Sequence, residues 1–336
     1  MDPRSVPDVD QVAHGGTDDP SLLDFSEGTN PEVPEGLAPS YESSLSASRR
    51  FQLDDHAEFR TAAASHLGCE PRNVVPVPGY VGGLRLALGV TVEAGDSVLV
   101  PVPTCGEYVR EARLQGATVT RAPVTDVLER DPAPHAAVVV APSGSPTGYA
   151  YDEAALRAYA ERCRDADTLL LVDETFLGFT DRPSLAGEPG VVVVQSVTNL
   201  FGLPGLRAGA AAAVGDLRDR LERARGTWML SVPAVAVATE CLGNQAFLER
   251  TRERIREERA RLVDALSALG FDVHPGDGPL VLFETDRPVV VLKERTREHG
   301  IAVRDATTYR GLDSHVRVTV RLPEENDRLL RALEHV

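Results

Sequence analysis

The sequence predicts an α/β protein with a mainly parallel, doubly wound sheet in a large domain and a smaller α+β domain after it. Three observations carry this expectation. Short apolar runs at 97–100, 136–141, 168–172 and 191–194 alternate with helix-length amphipathic stretches, which is how parallel strands with crossover helices read. Each run empties into a polar loop, where sheets of this kind keep their sites. The chain's 336 residues exceed one ordinary core, so a second unit is expected. The boundaries read as an arm over 1–45, a large domain over 46–225 and a small domain over 226–336.

Residues 1–45 are rich in Pro, Ser, Asp and Gly and read as an extended arm, not a core element. Phe59, Ala62, Ala63 and Leu67 then share a helical face that core packing explains. Pro78-Gly-Tyr-Val-Gly-Gly-Leu opens another helix with small residues. Such an N-terminus leaves N–H groups free for an anion, so Gly79, Tyr80 and Val81 are candidate backbone ligands. After the strand at 97–100, a helix starts near Tyr108 and runs to Leu114, and Tyr108 can cover the core there. The strand at 136–141 leads to Pro142-Ser-Gly-Ser-Pro-Thr-Gly. Leu156, Tyr159, Ala160 and Cys163 form the buried face of the next helix.

The strand at 168–172 delivers Asp173-Glu-Thr-Phe at its carboxyl end, where Asp173 can face a ligand or cap a helix. Four valines at 191–194 lead into Ser196, Thr198 and a Gly/Pro turn that ends at Arg207. Hydroxyls, free N–H groups and a guanidinium converging at a strand end suit a phosphate; an ordinary surface loop reads the same way. Helices follow to about Leu269, with Arg/Glu-rich faces over 247–262. The runs 280–283 and 289–292 read as strands flanking an Asp-Arg-Pro turn.

With 42% hydrophobic residues and no apolar run long enough for a bilayer, a soluble protein without a membrane partner is expected. The N-terminus lacks the basic and apolar regions of a signal peptide, which implies the cytoplasm. A net charge of -16 excludes nucleic acid as a partner class. Lys293 is the single lysine, set in a charged stretch that reads as a solvated helix. The acidic, lysine-poor composition suits a halophile's cytoplasm, and GC-rich codon usage would leave the same arginine preference. Cys69, Cys105, Cys163 and Cys241 are too scattered for a metal or disulfide framework, so reduced thiols and no metal site are expected.

The loop Ser196-Val-Thr-Asn-Leu-Phe-Gly-Leu-Pro-Gly-Leu-Arg207 resembles the cofactor-lysine region of the fold-type I pyridoxal 5'-phosphate (PLP) enzymes, whose pattern is Ser/Thr-Lys followed by Gly-Leu-x-Gly-Leu-Arg. Within the class I/II aminotransferase superfamily the chain is most similar to threonine-phosphate decarboxylases of cobalamin biosynthesis and histidinol-phosphate aminotransferases. Further matches are His14-Gly-Gly, Asp24-Phe-Ser-Glu-Gly-Thr-Asn-Pro, Pro146-Thr-Gly, Asp173-Glu-Thr-Phe and the ending from Val303 to Arg321.

The resemblance implies PLP as cofactor. It puts Asp173 on the pyridinium nitrogen with Phe176 nearby, the Tyr108 ring stacked on the pyridine, and Ser145 at the phenolic oxygen. The phosphate would fall to Gly79, Tyr80, Val81, Ser196, Thr198 and Arg207. A phosphorylated amino acid or similar small anion would be held by His14, Asn30, Arg304 and Arg317. A homodimer is implied as well, although Phe51 stands where the family has a tyrosine reaching a phosphate in the neighbouring subunit, and a phenyl ring has no hydroxyl to donate.

The departure that matters most is Asn199, eight residues before Arg207, at the position of the lysine that tethers the cofactor. Asparagine forms no such link and has no useful pKa for moving a proton. Three readings are open: a decarboxylase- or aminotransferase-like enzyme with impaired or unusual chemistry, a noncatalytic binder of PLP or a phosphorylated amino acid, and an engineered replacement. In each, PLP is held noncovalently if it is held at all.

Overall fold

Valines 191 to 194 are fully buried, as a strand covered on both faces must be, and the sheet they join positions everything else. The computed structural model describes residues 1–335. In chain order its elements begin with β1 (Leu23–Asp24), α1 (Leu37–Ala47), α2 (Ala57–Leu67), β2 (Val74–Val77), α3 (Gly79–Thr91), β3 (Ser97–Val102), α4 (Gly106–Leu114), β4 (Thr118–Pro123) and β5 (Ala137–Val140). Next come α5 (Glu153–Asp165), β6 (Leu169–Asp173), β7 (Val191–Ser196), α6 (Val197–Leu200), β8 (Gly209–Ala212), α7 (Gly215–Ala224) and α8 (Val232–Gly243). The last part holds α9 (Gln245–Ala268), β9 (Asp272–Val273), β10 (Leu280–Glu284), α10 (Val289–Glu298), β11 (Ile301–Ala302), β12 (Arg304–Asp305), β13 (His315–Thr319) and α11 (Pro323–Glu334).

Seven strands form the large sheet in the order β2-β8-β7-β6-β5-β3-β4. Strand β8 runs antiparallel to both neighbours, and the other six are parallel. Side chains alternate between the sheet's faces. Val191 and Val193 therefore join Val138, Val140, Leu170 and Val172 in one core, while Val192 and Val194 join Leu171 and the α3 residues Leu84, Ala87 and Leu88 in the other. The parallel strands and β2 end on the same side, so the loops after β2, β3, β5, β6 and β7 are brought together there. The expected doubly wound architecture is present. Helix α5 buries the four residues expected from its sequence, Leu156, Tyr159, Ala160 and Cys163, and Asp152 caps it by accepting from the Ala155 N–H at 2.9 Å. The four cysteines are free, and no helix among the described residues is long and apolar enough to cross a membrane.

The later strands β12-β13-β10-β9 make a second, antiparallel sheet. Two expectations are corrected. The run 289–292 is not a strand but the first turn of α10. Val289 and Leu292 are buried while Val290 and Val291 are 58% and 39% exposed, a spacing of three that belongs to a helix. Pro288 opens this helix and strong helix formers continue it, overriding the preference of valine for strands. Lys293 lies on α10 and pairs with Asp305 at 3.3 Å.

Residues 1–45 are likewise more than an arm. Phe25 is fully buried, β1 pairs in parallel with β11, and α1 packs on α8. The segment is tied to the distal sheet where the Thr319 N–H donates to Phe25 O at 3.0 Å and Arg321 Nη1 donates to Asp24 O at 3.0 Å. Its Pro and Ser content conceals these ties, because they are made by backbone carbonyls that no side-chain pattern records.

Beside the sheet's working end, Glu174 is completely buried. Its Oε1 accepts from the Leu185 N–H at 2.9 Å and its Oε2 has no partner. Burial pushes its carboxyl up to about 7 from an ordinary 4.5. A group raised in this way favours the fold while protonated, so its contribution is complete below about 4.5 and is lost as pH rises through about 7. Glu174→Gln is expected to raise the thermal unfolding midpoint at pH 8 relative to the parent and to leave it unchanged near pH 4.5; calorimetry at the two pH values checks this.

Candidate functional site

A cavity of about 530 Å³ opens where the strand ends meet the N-terminal segment and the distal sheet. One part of its wall is built for an anion. Helix α3 begins at Gly79, directly after β2, and presents the Tyr80 and Val81 backbone at its N-terminus. Gly79 has φ +70, and a Cβ there would meet Arg207 Nη2 at 2.8 Å, so only glycine lets this guanidinium close on the turn. Arg207 itself sits at φ 57, a costly conformation for a non-glycine residue, and its one side-chain hydrogen bond among the described residues is from Nη1 to Pro204 O at 3.1 Å. Behind it Thr198 is buried with an unpartnered Oγ1.

A second part is anionic. Asp173, at the carboxyl end of β6, is 6% exposed. Its Oδ1 accepts from the Thr175 N–H at 2.9 Å and its Oδ2 accepts from Tyr108 Oη at 2.7 Å. No cationic side chain among the described residues lies within ion-pair distance. Burial therefore raises its pKa, against the two hydrogen bonds. Tyr108 lines the cavity, and its hydroxyl orients the carboxylate, a role its sequence position does not show.

The third part is cationic. The antiparallel pairing of β12 with β13 sets Arg304 directly opposite Arg317; the two are 7% and 5% exposed. Arg317 Nη1 donates to Ser145 Oγ at 2.9 Å and Tyr309 Oη at 3.2 Å, and Nη2 donates to Ser26 O. Arg304 Nη2 donates to Ala13 O and Thr308 Oγ1, each at 3.1 Å. Neither arginine forms an ion pair among the described residues, and the Nε of each is buried without a partner. At the rim, His14 Nε2 lies 3.3 Å from Oε1 of buried Glu107, whose Oε2 has no hydrogen bond but pairs with Arg110 Nη1 at 3.8 Å.

Asn199 lines the same cavity with both ends of its amide committed. Its Oδ1 accepts from Ser196 Oγ at 2.6 Å and its Nδ2 donates to Gly28 O at 3.1 Å. No lysine lines this space. The single lysine, Lys293, borders an adjoining cavity beside α10 that shares Ala13, His14, Gly15, Ser26 and Arg304 with this one.

Of the residues singled out in the sequence, His14, Tyr80, Val81, Tyr108, Ser145, Asp173, Phe176, Asn199, Arg207, Arg304 and Arg317 line one cavity. Ser196, Thr198 and Gly79 are not among its lining residues. Asn30 does not reach it: its Nδ2 donates to Leu200 O at 2.9 Å, its Oδ1 accepts from Arg254 Nη2 at 2.7 Å, and its N–H donates to Asn199 O at 3.0 Å. Its place is beneath Asn199, bracing the loop. Glu107 and Tyr309 were missed. Tyr309 lies inside the matched ending, but a lone acid and a lone tyrosine carry no spacing signal. Among the described residues no three His, Cys, Asp or Glu side chains converge as a metal ion requires.

Comparison with known proteins identifies a family. A family model for aminotransferase class I and II matches residues 30–333. Histidinol-phosphate aminotransferase 2 of Archaeoglobus fulgidus is 28% identical over 330 residues, covering 95% of this chain and 94% of the relative. Threonine-phosphate decarboxylase of Salmonella typhimurium is 27% identical over 337 residues, covering 94% and 91%. Among solved structures, histidinol-phosphate aminotransferase from Sinorhizobium meliloti in complex with pyridoxal-5'-phosphate superposes with a TM-score of 0.83 at 20% identity, covering 93% of this chain and 90% of that one.

The glycine at the α3 turn gives a direct test of the anion cup. Gly79→Ala is expected to destabilise the protein by about 1–2 kcal/mol, because an alanine must take the left-handed conformation. Most of that loss should persist in an Arg207→Ala background, where the contact with the guanidinium is gone. Thermal unfolding of the two single variants and the double variant measures both contributions.

Proposed function

The chain belongs to the class I and II aminotransferases of the fold-type I, PLP-dependent superfamily, and from that membership we propose that it binds PLP noncovalently beside a phosphorylated amino acid and has lost lysine-dependent turnover. The observation that carries this reading is the Asn199 amide, bridged between Ser196 and Gly28 at the position where the resemblance puts the family's lysine. The chain's one lysine is on α10, outside the cavity.

The remaining wall fits the cofactor. Asp173 is a desolvated carboxylate without a cation, which a pyridinium nitrogen would supply. The α3 N-terminus and the largely uncommitted Arg207 suit a phosphate group, with the orphaned Thr198 hydroxyl beneath them. When bound, PLP supplies a ring that withdraws electrons from an amino acid's α-carbon. The protein's own residues orient and hold. Tyr108 and Thr175 aim the Asp173 carboxylate, Ser145 offers a hydroxyl, and Arg317 and Arg304 provide two positive charges for the carboxylate and phosphate of the second ligand, with His14 at the rim. A second reading, slow turnover of a free amine, is favoured by the contact of His14 with Glu107, a pair able to move a proton without lysine.

We further propose a homodimer. Phe51 and Leu53 are 83% and 81% exposed, beside Trp228 and Met229 at 50% and 42%. The Phe51 and Trp228 rings are 4.6 Å apart, and the two loops are stitched together by Gln52 Nε2 donating to Leu230 O at 2.8 Å. An apolar patch of this kind on an otherwise acidic chain is suited to a second copy. The double substitution Phe51→Glu and Trp228→Glu should shift the mass measured by light scattering from dimer to monomer.

Titration with PLP followed by absorbance, with borohydride treatment and mass spectrometry, tests the main reading. Cofactor should bind the parent and leave no borohydride-fixed adduct, whereas Asn199→Lys should acquire one. Arg207→Ala should weaken PLP binding by about ten- to a hundredfold, the loss expected for a charge-assisted contact. A stoichiometric adduct on the parent, or absence of PLP binding, would refute noncovalent binding.

A further inference from the structure

Tyr309 stands between the two buried arginines and touches both. Arg304 and Arg317 are register partners on adjacent strands, an arrangement in which like charges destabilise a sheet. Burial holds the Arg317 pKa below its ordinary value, with Arg304 adding to the depression. The tyrosine answers both charges with different parts of one side chain. Its Oη accepts from Arg317 Nη1 at 3.2 Å and lies 3.2 Å from Ser145 Oγ, which itself accepts from Arg317 Nη1 at 2.9 Å. Its ring lies under the Arg304 guanidinium, 5.2 Å from centroid to carbon, within range of a cation–π attraction. The ring is in turn packed against Leu282, Ala306 and Leu312, so both arginines are referred to one fixed group.

We infer that Tyr309 is a positioning residue that holds Arg317 through its hydroxyl and Arg304 through its ring face, and so sets the cavity to prefer ligands with two anionic groups over ligands with one. This rests on reading the cavity as a site for a phosphorylated amino acid. The physical reason is spacing. Two long cationic side chains left free would turn away from each other, and a ligand would have to repay the cost of ordering them. With one aromatic residue in contact with both, beside the bonds of Arg317 to Ser145 and Ser26 and of Arg304 to Ala13 and Thr308, they present two positive charges at a set separation. A dianion can satisfy both; a monoanion leaves one buried charge uncompensated.

Crystal structures and calorimetric titrations of the full-length protein, Tyr309→Phe and Tyr309→Leu test this, with O-phospho-L-threonine, L-threonine and inorganic phosphate as probes in the presence of PLP. In Tyr309→Phe the Arg317 guanidinium should shift away from the ring on its remaining bonds to Ser145 Oγ and Ser26 O, while Arg304 stays. Affinity for O-phospho-L-threonine should fall about tenfold, the loss of one hydrogen bond to a charged group, and affinity for inorganic phosphate should hold. In Tyr309→Leu both arginines should move, and the preference for the phosphorylated over the plain amino acid should collapse. An unmoved Arg317 in Tyr309→Phe, or an equal loss for all three probes, would overturn the inference, the latter pointing to a merely structural tyrosine. If the parent binds PLP but neither phosphorylated probe, the substrate reading and the selectivity fall together, while the ligand-free structures still decide whether Tyr309 holds the arginines.

Discussion

Charge taken out of water without a counter-charge is the constraint around which this molecule is arranged. Asp173 at the end of β6, and Arg304 and Arg317 on β12 and β13, border one cavity, nearly shielded from solvent and unpaired with each other. Each carries a desolvation cost of several kcal/mol when left alone. The buried strands β5, β6 and β7 supply the apolar burial that can offset it. The protein thus keeps in its interior an electrostatic arrangement that a ligand of matching charge would relieve, which is the usual relation between stability and a binding site.

Within that arrangement Asn199 is a chemically quiet residue in a demanding place. A lysine there would add a further cation and a reactive amine. Asparagine instead joins Ser196 to Gly28, and through its backbone carbonyl it also receives the Asn30 N–H. The loop after β7 is thereby fastened to the N-terminal segment at two points, Gly28 and Asn30. As a structural brace, Asn199 needs the loop after β7 in its present shape, because its amide and its carbonyl reach their partners only from there.

Much of this was legible in the sequence because the large sheet is written in uninterrupted apolar runs, each followed by its functional loop. Residues 191–207 show strand, polar turn and arginine in plain order, and Asp173 follows five apolar or small residues at the next strand's end. The failures have physical causes. Val289 to Leu292 is β-branched and apolar, yet a helix buries only its first and fourth members. Asn30 resembles a ligand by position, but tertiary packing spends its amide on Leu200 and Arg254. Glu107 and Tyr309 gain meaning only when strands far apart in sequence bring Arg317, Ser145 and the rim together, and no local pattern can encode that.

The hydrogen bonds from Thr319 and Arg321 to the carbonyls of Phe25 and Asp24 have a bearing on folding. Residues 12–29 supply one wall of the cavity, and the strand that fixes them, β13, lies on the other side of the whole central sheet in sequence. The sheet from β2 to β8 is built from nearer neighbours, whereas the chamber closes only when two distant segments meet, a contact that loop-closure entropy makes late. Competence to bind therefore reports that these two distant segments have found each other.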